Sequence, residues 1–98
     1  MYLVVAFDLP TTTAASRKAA SRFRNFLRSK GFERCQLSLY ERKCDGALDT
    51  LAVNVTGRLP IGGNLWMTRM TDEQYLRVVR FRGGVLERPE IPSALVIF

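Results

Sequence analysis

The sequence predicts one α+β domain in which two helices cover one face of an antiparallel sheet. Apolar residues alternate with period two in some segments and recur every three or four residues in others, and glycine and proline separate these segments. The resulting order is strand, helix, strand, strand, helix, strand, which is that of the ferredoxin-like βαββαβ sandwich. The 98 residues, 47% of them apolar, suit a single small core. We therefore predict a dimeric ferredoxin-like sandwich with an additional C-terminal strand.

The first strand runs from Tyr2 to Phe7 and is followed directly by Asp8. Six apolar residues without a polar break indicate a strand buried on both faces, because a half-exposed strand would alternate. Pro10 favours extended geometry at Leu9, so the chain leaves the strand there and Asp8 is expected at the end of the strand, near solvent. The helices protect only one face of the sheet. We therefore expect a second copy, packed sheet against sheet about a two-fold axis, to cover the other face.

The first helix is predicted from Ala14 to Lys30. Three threonines at positions 11–13 offer side-chain oxygens to the free N–H groups of a helix start, and Gly31 ends the helix. Four apolar residues recur at three- and four-residue spacing and are expected to face the core: Ala19, Phe23, Phe26 and Leu27.

The rest of this helix surface is basic. The chain carries 15 lysines and arginines against 9 acidic residues, a net charge of +6, and none of the acidic residues falls between Pro10 and Glu33. Clustered basic residues are the electrostatic footprint of nucleic-acid backbone binding, and an ordinary solvated helix face is the alternative. The residues that we predict to contact phosphates are Arg17, Lys18, Arg22, Arg24 and Arg28, and Lys30 extends the same surface.

The middle of the chain supplies the second and third strands, the second helix and the fourth strand. Phe32 to Lys43 alternates with period two and predicts two short strands with a break at positions 36–38. Leu48 to Leu59 shows helical spacing and ends before Pro60, which predicts a second, structural helix. Asn64 to Met70 is expected to form the next strand.

The remaining residues predict one helical turn and more strand. Thr71 to Gln74 has the form of a capping box for a single turn. Leu76 to Phe81 is predicted as another strand, and Ser93 to Phe98 as a terminal strand that adds to the sheet edge of its own chain or of a partner. We expect a domain at residues 1–82 and a tail at residues 83–98.

Cysteine and histidine usage limits the chemistry. Cys35 and Cys44 stand alone and the chain has no histidine, so neither a disulfide framework nor a zinc site is supported. Both cysteines are expected to be free thiols, with Cys35 buried. Without histidine, hydrolysis would rely on a carboxylate, a metal or water. The start of the chain shows no signal peptide and no apolar run long enough to span a membrane, so we expect a cytoplasmic protein.

Six short motifs follow one another in a specific order and spacing. They are Tyr-Leu-Val-Val-Ala-Phe-Asp-Leu-Pro at positions 2–10, Phe23-Arg24 with Phe26-Leu27, Gly31-Phe32, Gln36-Leu37-Ser38-Leu39-Tyr40, Gly63-Asn64 and Thr71-Asp72-Glu73-Gln74-Tyr75. Together they cover residues 1 to about 81 and resemble the CRISPR-associated protein 2 family, the small nuclease-like subunit of spacer acquisition.

The resemblance implies a homodimer that bridges two dimers of the CRISPR-associated protein 1 integrase and holds prespacer DNA. For some members it also implies a magnesium-dependent endonuclease activity on single-stranded RNA or double-stranded DNA. The acid that ends the first strand carries the metal in these members, and that position is Asp8 here. The family's arginine before the second strand falls on Arg34, which is therefore expected to bind nucleic acid. Its aromatic residue after the serine falls on Tyr40, where phenylalanine is common, so Tyr40 is expected to stack or to shape the site.

The chemistry expected of Asp8 depends on the dimer. Mg²⁺ needs several hard oxygen ligands in order to activate water and offset phosphate charge, and one carboxylate supplies too few of them. A two-fold axis would supply a second Asp8, and two close carboxylates would either bind a cation or share a proton. The alternative is that Asp8 forms the turn into the first helix by accepting backbone N–H bonds.

Three functions remain open at this point. The first is a scaffold that grips DNA with the basic helix and pairs with the integrase, in which Asp8 is dispensable. The second is a metal-dependent endonuclease centred on paired Asp8 residues, working in spacer acquisition or as a toxin-like ribonuclease. The third is a non-catalytic ferredoxin-like RNA-binding module, in which Tyr2, Tyr40 and Trp66 would stack on bases.

Overall fold

The computed structural model describes residues 1–46 and 48–86. Strands β1 to β4 form one sheet, and β5 and β6 form a separate two-stranded hairpin. No helix in the described ranges is long and apolar enough to cross a membrane. The elements in chain order are β1 Tyr2–Asp8, α1 Ala14–Ser29, β2 Glu33–Gln36, β3 Leu39–Lys43, α2 Leu48–Gly57, β4 Asn64–Met70, α3 Asp72–Leu76, β5 Phe81–Arg82 and β6 Val85–Leu86.

The four-stranded sheet has the order β2-β3-β1-β4, and all neighbouring strands are antiparallel. β1 is central, with Val5 opposite Tyr40 of β3 and Met67 of β4. Leu3, Val5 and Phe7 project from one face of β1 into a core that α1 and α2 complete. This arrangement confirms the predicted α+β sandwich of the ferredoxin-like type.

The N-terminus of α1 is fixed by a reciprocal pair of hydrogen bonds. The Thr13 hydroxyl accepts from the backbone N–H of Ser16 at 3.0 Å, and the Thr13 N–H donates to the Ser16 hydroxyl at 3.0 Å. The helix therefore begins at Ala14, as the threonines predicted. Ala20 is buried in the core, whereas Ala19, expected there, is half-buried at the edge of the stripe.

The C-terminus of α1 is a Schellman motif built on Gly31. Its φ of +86° lies in the left-handed region that favours glycine. The Gly31 N–H donates to the Arg28 carbonyl at 3.0 Å, and the Phe32 N–H donates to the Leu27 carbonyl at 3.1 Å. The helix ends one residue earlier than predicted, and the motif turns Phe32 back into the core beside Leu27.

The two faces of β1 lie in different surroundings. Leu3, Val5 and Phe7 are buried under the helices. On the opposite face, called here the open face, Val4 is 8% exposed and Tyr2 is half-buried. The continuous apolar run is therefore explained by contacts on both faces, as the sequence predicted.

Part of the cover on the open face comes from this chain. The ring of Tyr75 in α3 stacks on Tyr2, with ring centroids 3.6 Å apart. The segment at residues 78–83 encloses a cavity of about 570 Å³ against Val4 and Trp66. Contacts within this chain therefore cover part of the face for which the sequence suggested a second copy. The region around Trp66, whose side chain is 59% exposed, stays open.

The predicted strand from Leu76 to Phe81 is wrong. The capping box at Thr71 starts α3, which ends only at Leu76, and the next N–H groups bond back to α3 carbonyls. Residues 77–80 are irregular, and strand structure is restricted to the β5–β6 hairpin. Gly83 and Gly84 turn this hairpin with φ of +59° and +81°, both positive as a type I′ turn requires. The predicted terminal strand, Ser93 to Phe98, lies outside the described residues.

The two cysteines are free thiols, as expected. Cys44 is buried, whereas Cys35, predicted to be buried, is half-buried because it lies on the edge strand β2. Burial raises the pKa of Cys35 to about 11, and the nearby Glu41 carboxylate adds to the shift. Cys35 is therefore a neutral thiol at physiological pH and a poor nucleophile.

Candidate functional site

Asp8 is the last residue of β1 and lies opposite Asn64 of β4. Its side chain is exposed. After β1, Leu9 and Pro10 pass close to Gly62 and Gly63. A Cβ on Gly63 would lie 2.8 Å from Leu9 Cδ2, and a Cβ on Gly62 would lie 3.3 Å from the Pro10 ring. The two glycines therefore leave room for the Leu9–Pro10 segment, which directly follows Asp8, to pass close to the start of β4.

The Asp8 carboxylate has no hydrogen-bond or ion-pair partner among residues 1–46 and 48–86. The N-cap of α1 is Thr13, so the turn into the helix does not depend on Asp8. The alternative in which Asp8 caps this turn has no support from these contacts. An exposed carboxylate without a partner is free to bind a cation.

One chain alone does not complete a metal site in the part of the chain that the structure describes. Among these residues there is no group of three or more acidic, cysteine or histidine side chains that could hold a metal ion. Asp8 is a hard oxygen donor of the kind Mg²⁺ prefers, and Asn64 opposite it could add an amide oxygen. The donor chemistry fits Mg²⁺, and one carboxylate with one amide oxygen leaves most of the coordination shell to water or to donors from outside this chain.

The surroundings of Asp8 on the open face are apolar. Successive residues of β1 alternate between faces, so Asp8 shares the open face with Ala6. Trp66 is opposite Ala6 in the neighbouring strand and is largely exposed. Leu39 is opposite Ala6 on the other side. The carboxylate therefore lies at the end of an apolar strip that crosses the sheet.

The basic residues of α1 lie where the sequence predicted a basic surface. A groove of about 460 Å³ on the N-terminal half of the helix is lined by Arg17, Lys18 and Arg22 together with Ser21 and Asn25. The Arg17 guanidinium donates to the Thr11 carbonyl at 3.2 Å, which holds it at the start of the helix.

The C-terminal half of α1 continues this basic surface. Arg24 is half-buried and Arg28 is exposed. None of the basic side chains of α1 forms an ion pair with a carboxylate within the described residues. The surface is therefore available to an external polyanion.

The structure does not bring all the predicted site residues together. α1 packs on the core face of the sheet, whereas Asp8 projects from the open face. Arg34 lies on the edge strand β2 and its Nε donates to the Gln36 carbonyl at 3.3 Å. A phosphate-contacting surface on α1 and a reaction centre at Asp8 are therefore two separate places on one chain.

Tyr40 is not accessible to a nucleic acid. Its side chain is 0% exposed, and its ring packs in the core 5.5 Å from that of Phe7. The predicted stacking role is therefore wrong, because β3 directs this side chain toward the helices. What remains is a structural role in supporting the strand that ends at Asp8.

The buried hydroxyl of Tyr40 leads to a stability prediction. It has no hydrogen-bond partner within the described residues, and an unsatisfied buried polar group costs free energy. Tyr40→Phe is expected to raise the free energy of unfolding by about 1–3 kcal/mol in urea denaturation. The matched control is Tyr75→Phe, which removes a hydroxyl that donates to Glu41 at 2.5 Å and should destabilise the fold. A loss of stability in Tyr40→Phe would contradict this account of the core.

A polar cluster on the open face was not predicted. Arg80 donates to both carboxylate oxygens of Glu41, at 2.9 and 2.7 Å, and to the Tyr75 hydroxyl at 2.5 Å. Both side chains of the Arg80–Glu41 pair are largely buried, so this ion pair is screened less than a surface pair. It ties the irregular segment after α3 to the sheet. The alternation of side chains along β3 predicts that Glu41 lies on the open face. No local sequence pattern, however, links Glu41 to Arg80, which is 39 positions away.

Comparison with known proteins gives consistent results. Residues 1–78 match the family described as CRISPR associated protein Cas2. The chain is 46% identical over 85 residues to the CRISPR-associated endoribonuclease Cas2 of Paracidovorax avenae, covering 85% of this chain and 79% of that protein. It is 33% identical to the protein of the same name from Parvibaculum lavamentivorans, over the full length of both chains. The crystal structure of Streptococcus pyogenes Cas2 at pH 6.5 has the same fold, with a TM-score of 0.66 at 19% identity, covering 84% of this chain and all of that one.

Proposed function

Because the chain belongs to the CRISPR-associated Cas2 family, we propose that it is a metal-dependent endoribonuclease whose reaction centre is Asp8. The observation that carries this proposal is the exposed Asp8 carboxylate, which ends the central strand and has no partner among the described residues. The relatives from Paracidovorax avenae and Parvibaculum lavamentivorans are both named endoribonucleases, which supports RNA as the substrate class.

Asp8 would hold Mg²⁺, which when bound supplies an activated water and offsets charge on the scissile phosphate. Since one chain offers a single carboxylate at this place, we propose that a second Asp8 from another copy completes the site. The apolar strip beside Asp8 supports such a pairing, because Trp66 is largely exposed there and stacking two open faces would bury it. The two Asp8 side chains would then lie at one interface, and a cation between them would relieve their mutual repulsion.

Removal of divalent metal tests this function. The purified protein is expected to cleave a labelled single-stranded RNA in Mg²⁺ and to lose this activity in excess EDTA, with recovery when Mg²⁺ is restored. The lost activity reflects the need for a Lewis acid at the phosphate, since the chain has no histidine to act as general base. Undiminished cleavage in EDTA would contradict the metal-dependent mechanism.

A second function is favoured by α1. Its unpaired basic surface suits the phosphates of prespacer DNA, and in spacer acquisition the chain would act as a bridge between dimers of the CRISPR-associated protein 1 integrase. This role and RNA cleavage use different faces of the sheet and are compatible.

A non-catalytic RNA-binding module is the alternative that Trp66 favours. Its exposed indole could stack on a base. This role requires a monomer in which the open face is accessible, so it excludes the paired arrangement. Quenching of Trp66 fluorescence by RNA in a monomeric protein that does not cleave would favour the module.

A further inference from the structure

We infer that a pocket at the C-terminal end of α1 binds a backbone phosphate of nucleic acid, an inference that rests on the proposed nucleic-acid function. The pocket, called here the Lys30–Arg42 pocket, has a volume of about 560 Å³. It lies where the end of α1, strand β3 and the start of α2 meet. The polar side chains that line it come from Ser29, Lys30, Arg42, Thr50 and Asn54.

Arg42 is placed in this pocket by the end of α1. A Cβ on Gly31 would lie 3.3 Å from Arg42 Nε and 3.7 Å from its Cδ. The side chain therefore lies across the glycine, so that Gly31 serves both the Schellman motif and the position of the guanidinium. The planar guanidinium, which lies against Gly31, can bind phosphate through two parallel N–H donors.

The charge of Arg42 has no partner within the described residues. Its side chain is half-buried, yet no hydrogen bond or ion pair joins the guanidinium to a carboxylate there. Arg80, which is also half-buried, has the Glu41 carboxylate at 2.7 Å. A cation partly removed from water is stabilised by an anion, and the described chain provides one for Arg80 but none for Arg42.

The other side chains of the pocket point to the same class of ligand. Lys30 brings a second positive charge, and the Thr50 hydroxyl and Asn54 amide are neutral donors. No acidic residue lines the pocket. Glu33 lines a neighbouring groove with Arg42 and is not bonded to it. Side chains that supply two positive charges and neutral donors, with no carboxylate, suit a phosphate as the ligand. They do not suit a metal ion or an amine.

The position of the pocket relates it to the basic surface of α1. Lys30 follows Arg17 by thirteen residues, which corresponds to about 20 Å along the helix. This length equals the axial rise of about six base pairs of duplex. The Lys30–Arg42 pocket would thus add a phosphate contact at one end of a nucleic acid that the α1 surface holds at the other.

The test compares Arg42→Gln and Lys30→Gln with Lys43→Gln, which removes the same charge from the opposite face of β3. Binding of a fluorescein-labelled duplex is measured by anisotropy over a range of salt concentrations. Arg42→Gln is expected to weaken binding about tenfold and to reduce the slope of log affinity against log salt by about 0.9, the loss of one phosphate contact. Lys43→Gln should behave as wild type. Equal effects of Arg42→Gln and Lys43→Gln would overturn the inference.

A second readout separates this inference from the proposed function. Inorganic phosphate is titrated into the protein while the Arg Nε–H resonances are followed by NMR and the Tm is recorded. The pocket predicts a shifted Nε–H resonance that is missing in Arg42→Gln, and a Tm increase that this variant lacks. If these effects occur but the wild type binds no nucleic acid, the pocket stands and the proposed function fails. If the wild type binds nucleic acid and Arg42→Gln binds equally well, the proposed function stands and the pocket fails.

Discussion

Asp8→Asn is expected to reduce magnesium-dependent cleavage of single-stranded RNA by at least about 100-fold, because it removes the negative charge that would hold the metal while it keeps the size of the side chain. The rate constant is measured with the purified variant under single-turnover conditions. The fold should be unaffected, since Asp8 is exposed and caps no helix in the described structure. A Tm equal to that of the wild type would show that the activity loss is chemical.

The matched control for this variant is Asp45→Asn. Asp45 is also exposed, follows β3 instead of β1, and its substitution changes the net charge by the same amount. It should cleave RNA at the wild-type rate. If Asp8→Asn cleaves as fast as Asp45→Asn in Mg²⁺, Asp8 is not the reaction centre and the scaffold role alone remains.

Arg24→Glu combined with Arg28→Glu is expected to abolish duplex DNA binding at moderate salt, with a loss in affinity of at least about 100-fold. Two reversals change the net charge from +6 to +2 and place two carboxylates on a helix that has no acidic residue. Phosphate contacts are replaced by repulsion. The loss of affinity relative to the wild type should therefore be largest at low salt, where charges are least screened. Anisotropy of a labelled duplex provides the measurement.

The control for this double variant carries the same charge change elsewhere. Arg69→Glu combined with Arg77→Glu reverses two exposed arginines that are already paired with carboxylates, Asp49 and Glu73. Because these pairs leave less positive charge available to phosphates, the control should lose little affinity. An equal loss in both double variants would mean that net charge, and not the surface of α1, determines binding.

The features that the sequence predicted correctly depend on local patterns. The start of α1 follows from threonine chemistry, its end from Gly31, and the two short strands β2 and β3 from the period-two alternation of residues 32–43. The position of Asp8 follows from the end of an apolar run. These signals lie within a few residues of the element that they define, so they can be recognised without tertiary contacts.

The features that could not be predicted depend on contacts between distant residues. Leu76 to Phe81 has strand-like composition, yet α3 extends to Leu76 and Arg80 is held by Glu41 of β3. Tyr40 has the polarity of a surface residue, and only the pairing of β3 with β1 shows that it faces the core. The placement of Arg42 beside Gly31 likewise requires β3 to lie under the end of α1.

Two Asp8 carboxylates, one from each of two copies, are expected to hold one divalent cation. Binding of Mn²⁺, a paramagnetic substitute for Mg²⁺, can be counted by the EPR signal of the free ion, with the mass of the protein determined by sedimentation at the same concentration. We expect a dimer that binds one Mn²⁺ per pair of chains, and a dimer of Asp8→Asn that binds none at this site. A monomer, or Mn²⁺ binding that is unchanged in Asp8→Asn, would contradict this expectation.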